Sequence, residues 1–242
     1  MRLRIKFRKY GPVRYIGHLD VMRFFQKAIR RAGLDVAYTK GFSPHQIMAF
    51  AAPLGVGLTS NGEYMDIEVN SIESCQDVLE RLNNTCVPGI EITSVKILPD
   101  DAGNAMASVA AADYTVCFKE GKEPKTIDLT DIPSLLRKFL SREQILITKE
   151  TKKGTREVDL KQGIYRLGYK DGVFTMLLDA SSGGNIKPVQ VIEALLSDCG
   201  ETLQENALAV TREDVYTNKG TPEAPELVPL DAVGFTDSEE TV

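Results

Sequence analysis

Residues 2–8 read Arg-Leu-Arg-Ile-Lys-Phe-Arg, a strict alternation of basic and apolar side chains. Successive side chains of a β-strand point to opposite faces of the sheet, so the alternation predicts a half-buried strand with one basic face. The basic face would consist of Arg2, Arg4, Lys6 and Arg8. The stretch therefore predicts both the start of a sheet and a row of cations on its open side.

The residues that follow this strand predict, in order, one helix, three strands, a second helix and a last strand. Apolar side chains spaced three and four residues apart predict helices at about 19–31 and 72–83, the second capped by Ser71. Residues 13–16 are expected to continue extended after a Gly-Pro turn. Strands are predicted at 34–39, 46–51, 63–70 and 89–98. This β-α-β-β-α-β order, with one extra strand segment, predicts a ferredoxin-like sandwich built from split β-α-β units.

The second half of the chain repeats this order of elements. Strands and two helices, at about 132–141 and 189–197, predict a second ferredoxin-like domain with additional strands. Residues 220–242 hold six acidic residues, three prolines and no basic residue, which predicts a flexible acidic tail. The predicted fold class is α+β with two tandem domains, and its limits are 1–98 for the basic domain, 99–112 for a linker, 113–218 for the second domain and 219–242 for the tail.

The composition is that of a globular protein and excludes several classes. The chain has 242 residues, 43% hydrophobic and 26% charged. No apolar run approaches the roughly 20 residues of a membrane span, and the first residues lack the apolar core of a signal peptide. The four cysteines are scattered, and there are only two histidines, His18 and His45. We therefore expect a cytoplasmic protein with reduced thiols and with no metal, cofactor or membrane partner.

The net charge of −5 hides a sharp asymmetry along the chain. Residues 1–50 contain 11 Lys or Arg and 2 Asp or Glu, which leaves 18 basic and 32 acidic residues for the remainder. The balance is +9 at one end and −14 over the rest. A basic end of this kind predicts a polyanionic partner such as nucleic acid, and the alternative is a solvated basic surface.

The first candidate cluster lies at residues 11–20, which lead into the first predicted helix. Gly17 and His18 lie at the helix N-terminus, where free amides and the helix dipole favour an anion. Arg14 could reach the same place, and Asp20 could orient His18. The alternative is that His18 and Asp20 serve as ordinary helix-end residues.

The second candidate cluster is the loop Lys40-Gly41-Phe42-Ser43-Pro44-His45. Phe42 could stack on an unpaired base, as aromatic rings do in proteins that bind single-stranded RNA, or it could pack inward. We expect the irregular backbone at residues 13–16 and 41–44 to fold both loops toward one groove. His18 and His45 would then share a site that binds sulfate or phosphate.

Two further segments are candidates for phosphate contacts, and the common catalytic motifs are absent from the sequence. The basic residues at 152–161 predict a hairpin that could grip phosphates or remain solvated. Residues 181–185 precede a helix but lack the Lys-Ser/Thr pair of a phosphate-binding loop, so a turn is predicted. G-x-S-x-G, G-x-G-x-x-G and H-E-x-x-H motifs do not occur, which argues against hydrolases, dehydrogenases and metalloproteases.

Three motifs resemble a known family. KFRKYGPVRYIGHLD at 6–20, YTKGFSPH at 38–45 and KKGTREVDLK at 152–161 are similar to the radical-SAM-associated family of bacterial proteins of unknown function. In that family the domain is fused to a radical SAM module or encoded beside one, often near genes for RNA processing and ribosomal proteins. The chain lacks a three-cysteine cluster for an iron–sulfur centre, so the resemblance implies the partner of the radical SAM enzyme.

The sequence thus predicts a non-catalytic protein that binds RNA or presents a substrate to a radical SAM enzyme, in tRNA or rRNA modification. The predicted phosphate contacts are Arg2, Arg4, Lys6, Arg8, Arg14 and Lys40. Phe42 would stack, the amide of Gly17 would face an anion, and His18, Asp20, Ser43 and His45 would line the site. One alternative is an RNA endonuclease that uses His18 and His45 as acid and base. The other is a protein–protein adaptor.

Overall fold

A computed structural model describes residues 1–151, 154–221 and 224–237. The chain divides into two units. The first consists of residues 1–110 together with the chain from Arg212 onward, and the second is the intervening segment Ala111–Thr211. The fold is mixed α/β, and the described residues contain twelve strands and five α-helices.

The elements are, in chain order, β1 (Arg2–Lys9), α1 (His18–Arg31), β2 (Asp35–Val36), β3 (Met48–Phe50), β4 (Thr59–Ser71), α2 (Cys75–Asn83), β5 (Ile90–Leu98), α3 (Ala105–Ser108), β6 (Ala111–Phe118), α4 (Ile132–Leu140), β7 (Leu146–Thr151), β8 (Gly154–Asp159), β9 (Ile164–Lys170), β10 (Val173–Asp179), α5 (Pro188–Ser197), β11 (Leu208–Asn218) and β12 (Leu227–Pro229).

The sheet of the first unit is organised around β1 and β4. Strand β1 pairs antiparallel with both β4 and β5, and β4 also pairs with the short strands β2 and β3. On one face of this sheet, Leu3, Ile5 and Phe7 of β1 are buried together with residues of α1 and α2, such as Phe25 and Leu82. Each such fully buried side chain contributes about 1.5–3 kcal/mol. The alternation in residues 2–8 therefore predicted this core face correctly.

The opposite face of the sheet is also largely buried, so the prediction of one-sided strands is wrong. Arg4 of β1 exposes 1% of its surface, and Tyr64 and Asp66 of β4 expose 1% and 6%. This face is covered by residues that lie far along the chain, since the guanidinium of Arg4 donates to the Leu230 carbonyl at 3.1 Å. Periodicity alone did not predict the cover because its residues are distant in sequence.

The prediction of a flexible acidic tail is wrong for residues 227–235, which are folded. Strand β12 pairs with β11, a 3₁₀ helix follows at Leu230–Val233, and Phe235 forms a β-bridge with Ile97. Leu230 is completely buried. We call residues 227–235 the C-terminal strap. The prediction for residues 222–223 and 238–242 lies outside the described residues.

Two local predictions around the helices also need correction. Residues 13–16 are not an extended segment, because Gly11–Tyr15 form a 3₁₀ helix. Gly11 adopts a φ of +59°, which glycine tolerates, and Pro12 is favoured in a first helical turn. Helix α2 begins later than predicted, and its N-cap is Ser74, whose side chain accepts from the Asp77 amide.

The second unit contains its own paired strands and buried residues. Strand β10 pairs antiparallel with β6 and β9, and β7 and β8 form a separate hairpin. Buried residues of this unit include Phe139 of α4, Phe174 of β10 and Val191 of α5. The basic hairpin predicted at 152–161 includes β8, whereas Lys152 and Lys153 lie outside the described residues.

The limits of the units differ from the predicted domain limits. The second unit ends at Thr211, because Arg212 and the rest of β11 lie against the first unit. At Gly62 in β4, an added Cβ would come within 2.7 Å of the Glu213 carbonyl oxygen, so a glycine is needed for this close approach. The predicted linker at 99–112 contains α3 and the start of β6.

Within the described residues, none of the helices has the length and apolar character required to cross a membrane. The same residues contain no cluster of three or more His, Cys, Asp or Glu side chains arranged to hold a metal ion.

Candidate nucleic-acid interface

A groove on the first unit brings together basic and aromatic side chains. It has a volume of about 300 Å³ and lies between the outer face of α1 and the segment 38–46. We call it the basic groove, and its lining residues are Arg23, Gln26, Lys27, Arg30, Tyr38, His45 and Gln46.

Helix α1 supplies the basic wall because of its amphipathic sequence. Val21, Phe25, Ala28 and Ile29 face the core. A helix has 3.6 residues per turn, so side chains separated by four and three positions share a face. Arg23, Lys27 and Arg30 follow this spacing on the exposed side, over about 10 Å of helix.

The other wall of the groove is a loop with a hydrogen-bonded base. The Thr39 amide donates to the His45 carbonyl at 2.9 Å, and the His45 amide donates to Thr39 Oγ1 at 3.1 Å. Tyr38 and Gln46 form a β-bridge just outside this pair. Gln46 also donates to the Gln26 carbonyl at 3.3 Å, which anchors the base of the loop to α1.

The groove has a strongly positive lining. Its seven lining residues include three cations and no carboxylate. Arg23 forms an exposed pair with Asp20 at 3.3 Å. Lys27 and Arg30 form no ion pair with any residue in 1–151, 154–221 or 224–237. Their charges are therefore available to an anionic ligand.

The loop residues of the second predicted cluster stand beside the groove. Lys40, Phe42, Ser43 and His45 are all exposed. Phe42 is fully exposed at the tip, so the alternative that it packs inward is wrong. Gly41 has a φ of +125°, a conformation that favours glycine, and this shapes the tip.

The cations predicted on β1 are instead engaged within the protein. Arg4 forms a two-point ion pair with Asp66 at 2.8 and 3.0 Å, and its burial removes it from the predicted phosphate contacts. Lys6 pairs with Asp214 at 2.7 Å. Arg2 donates to the carbonyls of Pro99, Asp100 and Ala102.

Arg8 and Arg14 are also engaged, but both remain partly accessible. Arg8 donates to Asn61 and pairs with Glu91 at 3.1 Å, with about two-fifths of its side chain exposed (41%). Arg14 lies over the ring of Tyr15 at 4.8 Å and donates to its hydroxyl at 2.9 Å. Arg14 therefore points to Tyr15 in this structure.

Gly17 and His18 lie at the N-terminus of α1 as predicted, but the side chains there are not arranged as predicted. Gly17 is the N-cap, without a side-chain cap. His18 is half-buried, and its ring makes an edge contact with Phe50 at 5.1 Å between centroids. Asp20 pairs with Arg23, whereas the sequence suggested that it orients His18.

The two histidines do not share a site, so that prediction is wrong. His18 contacts Phe50, whereas His45 lines the groove beside Gln46, which bonds to Gln26. Eight helical residues separate position 18 from position 26, a distance of about 12 Å along α1. The 3₁₀ helix at Gly11–Tyr15 replaces the irregular extended segment that was expected to bring the loops together.

Close to His18, a buried charge cluster escaped the sequence analysis. Lys9 Nζ donates to the Ile16 carbonyl at 2.9 Å, and Glu63 pairs with Arg212 at 2.9 Å. Burial lowers the pKa of Lys9, although the charge of Glu63 opposes this. Burial likewise raises the pKa of Glu63, and Arg212 opposes the rise. With His18, Lys9 and Glu63 line a cavity of about 10 Å³, which is too small for a substrate.

Six of the seven lining residues were not among the predicted site residues: Arg23, Gln26, Lys27, Arg30, Tyr38 and Gln46. The sequence does carry a signal for the cations, since they recur at i, i+4 and i+7 on the polar side of a predicted helix. Tyr38 carried no such signal, because its place beside α1 depends on the bridge to Gln46.

The fold and the groove define the chain as a two-unit mixed α/β protein whose first unit exposes a basic and aromatic surface. A model of the bacterial family described as "Uncharacterized protein conserved in bacteria (DUF2344)" matches residues 2–188, and the chain belongs to this family. No significant match was found among the curated proteins with which the chain was compared.

Proposed function

We propose that the protein is a cytoplasmic, non-catalytic RNA-binding partner of a radical SAM enzyme and that it presents tRNA or rRNA for modification. The observation that carries the proposal is the basic groove, where Arg23, Lys27 and Arg30 lie in one row without a lining carboxylate. Lys and Arg side chains that neutralise phosphates supply much of the affinity for nucleic acids. The exposed Lys40 beside the groove extends the same surface.

The arrangement of the first unit supports a ferredoxin-like assignment. The strand order β5-β1-β4, with β2 and β3 also paired to β4, supports the proposal of a split β-α-β sandwich. The second unit supports the same assignment through the order β6-β10-β9 and the positions of α4 and α5. We propose that both units follow this topology, with β7 and β8 as an insertion in the second.

The assignment to a radical SAM enzyme rests on the resemblance of residues 6–20 and 38–45 to the radical-SAM-associated family. Both segments lie inside the matched range 2–188. Of the two segments, residues 38–45 also contribute to one wall of the groove. A surface shared by this second motif and the cations of α1 supports a role in presenting RNA to the enzyme.

The positions of the histidines favour a non-catalytic role over the endonuclease alternative. An acid and a base that act on one phosphodiester must both reach it by hydrogen bonds or through one water. His18 contacts Phe50 beside a very small cavity, about 12 Å along α1 from Gln26, whose carbonyl accepts from Gln46 next to His45. The two rings therefore lack the geometry for concerted catalysis.

Salt-dependent RNA binding tests the proposal. For single-stranded RNA, log Kobs should fall with log salt by about 0.7 for each phosphate contact. The variant Arg23→Ala/Lys27→Ala/Arg30→Ala should bind more weakly and lower the magnitude of the slope by about 2, measured by fluorescence anisotropy from 50 to 300 mM salt.

The matched control removes three exposed cations of the second unit, in Arg137→Ala/Lys138→Ala/Lys170→Ala. It changes the net charge equally and should retain affinity and slope. Equal effects of both triple variants would show that RNA is attracted to the protein's charge in general and not to the groove. Binding that does not depend on salt would favour the alternative of a protein–protein adaptor. Copurification with the radical SAM enzyme, lost or retained in the groove variant, tests whether the partner uses the same surface.

A further inference from the structure

Two exposed aromatic rings flank the basic groove. Tyr38 lines it and exposes 50% of its surface, while Phe42 at the tip of the loop is completely exposed. Single exposed apolar residues are common on protein surfaces. Two aromatic rings beside a row of exposed cations are the combination used by proteins that bind single strands.

Backbone hydrogen bonds close the base of the loop that carries these two rings. Hydrogen bonds between Thr39 and His45 close the loop, and the Ile47 amide donates to the Ala37 carbonyl at 2.9 Å one step further out. Tyr38 lies inside this ladder, and Phe42 lies three residues beyond Thr39. A platform anchored in this way loses less conformational entropy when a base stacks on it.

We infer that the ligand of the groove is a single-stranded segment of RNA, whose phosphates lie along α1 and whose unpaired bases stack on Tyr38 and Phe42. The inference rests on the proposed function and adds the class of RNA. The faces of paired bases are covered by their neighbours in a duplex, so rings of this kind recognise loops, bulges and ends. The row Arg23, Lys27 and Arg30 supplies contacts to successive phosphates of one strand.

The test compares one oligonucleotide in two states. A labelled 12-nucleotide RNA of mixed sequence is titrated alone and as a duplex with its complement, at one salt concentration. The single strand should bind at least about 10-fold more tightly, since the loss of one stacked base costs on the order of 5- to 150-fold in affinity. Tyr38→Leu and Phe42→Leu should each weaken binding of the single strand within that range and leave duplex binding unchanged.

The control is Tyr165→Leu, which removes a ring of similar exposure (43%) from the second unit. It should bind the single strand as the wild type does. Both loop residues are exposed, and thermal unfolding of each variant should match the wild type.

Stronger binding of the duplex, or unchanged single-strand affinity in both loop variants, would overturn the inference. The proposed function would still stand in that case if Arg23→Ala/Lys27→Ala/Arg30→Ala loses affinity for either RNA. Wild-type affinity of this triple variant for both RNAs would instead refute the proposed function.

Discussion

Arg4 shows how burial changes the role of a single cation. Its guanidinium donates two hydrogen bonds to Asp66 and one to the Leu230 carbonyl. Asp66 also accepts from the Ala105 amide at 2.7 Å, so one carboxylate joins β1, β4 and the start of α3. Removal of one partner from a buried pair leaves an uncompensated charge in a medium of low polarity.

We therefore expect Arg4→Met to lower the free energy of unfolding by about 3–5 kcal/mol, because Asp66 loses its partner while it stays buried. The measurement is urea unfolding followed by circular dichroism. Arg8→Met is the control on the same strand, since Arg8 and Glu91 expose 41% and 45% of their side chains. An exposed pair contributes at most about 1 kcal/mol.

A loss of less than 1 kcal/mol in Arg4→Met would contradict the account of a buried, charge-neutralised sheet face. The same result would return Arg4 to the set of cations available for RNA.

The behaviour of β1 also shows what the sequence could and could not predict. Alternation in residues 2–8 predicted the strand and its apolar face, because side-chain direction in a strand is a local property. The partners of Arg4 and Lys6 are Asp66 and Asp214, which lie 62 and 208 residues away in sequence. A single sequence carries no local signal for such pairs, so the alternation alone predicts cations that have no partner within the protein.

The candidate site could likewise be predicted only where it depends on local sequence. Lys40, Phe42 and His45 could be predicted from loop composition, and all three are exposed beside the groove. The placement of this loop against α1 depends on the bond from Gln46 to the Gln26 carbonyl, which composition does not encode. The prediction of a shared histidine site was wrong because residues 11–15 form a 3₁₀ helix and not an extended segment.

Among the elements of the first unit, the C-terminal strap replaces a predicted flexible tail. That prediction came from the six acidic residues and three prolines of residues 220–242, yet Leu230 of the strap is completely buried. Asp231 lies 3.7 Å from Lys6 and accepts from the Tyr64 hydroxyl at 3.2 Å. The strap thus places its one carboxylate, that of Asp231, beside Lys6 on the basic face of β1.

We expect Leu230→Ala to lower the free energy of unfolding by about 2–5 kcal/mol, through lost burial and the cavity left behind. Urea unfolding measures the loss. Leu227→Ala, a change of the same size at a half-buried position of the strap, is the control and should cost less. Equal, small losses in both variants would show that the strap is not packed as described.

For the complete chain, the discontinuity of the first unit matters most. Residues 1–110 lack Arg212, which pairs with Glu63, and Asp214, which pairs with Lys6 and accepts from Tyr64 at 2.6 Å. The second unit is one continuous segment with its own buried residues. Its integrity therefore depends less on the rest of the chain.

We expect the fragment 111–211 to unfold cooperatively in urea when it is expressed alone. The fragment 1–110 should be unfolded or show no cooperative transition, because it leaves Glu63 and Lys6 without their partners in a buried sheet face. Circular dichroism of the two fragments and of the full chain provides the comparison. A fragment 1–110 with the unfolding midpoint of the full chain would contradict this division.

The return of the chain to its first unit also sets an order of events during synthesis. Residues 111–211 are made after strands β1 to β5 of the first unit. Arg212, the rest of β11 and the strap, which supply the remaining contacts of that unit, are made later. At roughly 5 to 20 residues per second, this interval is on the order of 5 to 20 s. During it the nascent sheet is incomplete, while the segment that follows can already fold. Helix α1, which carries the groove, thus rests on a sheet that is finished only after residue 230 has left the ribosome.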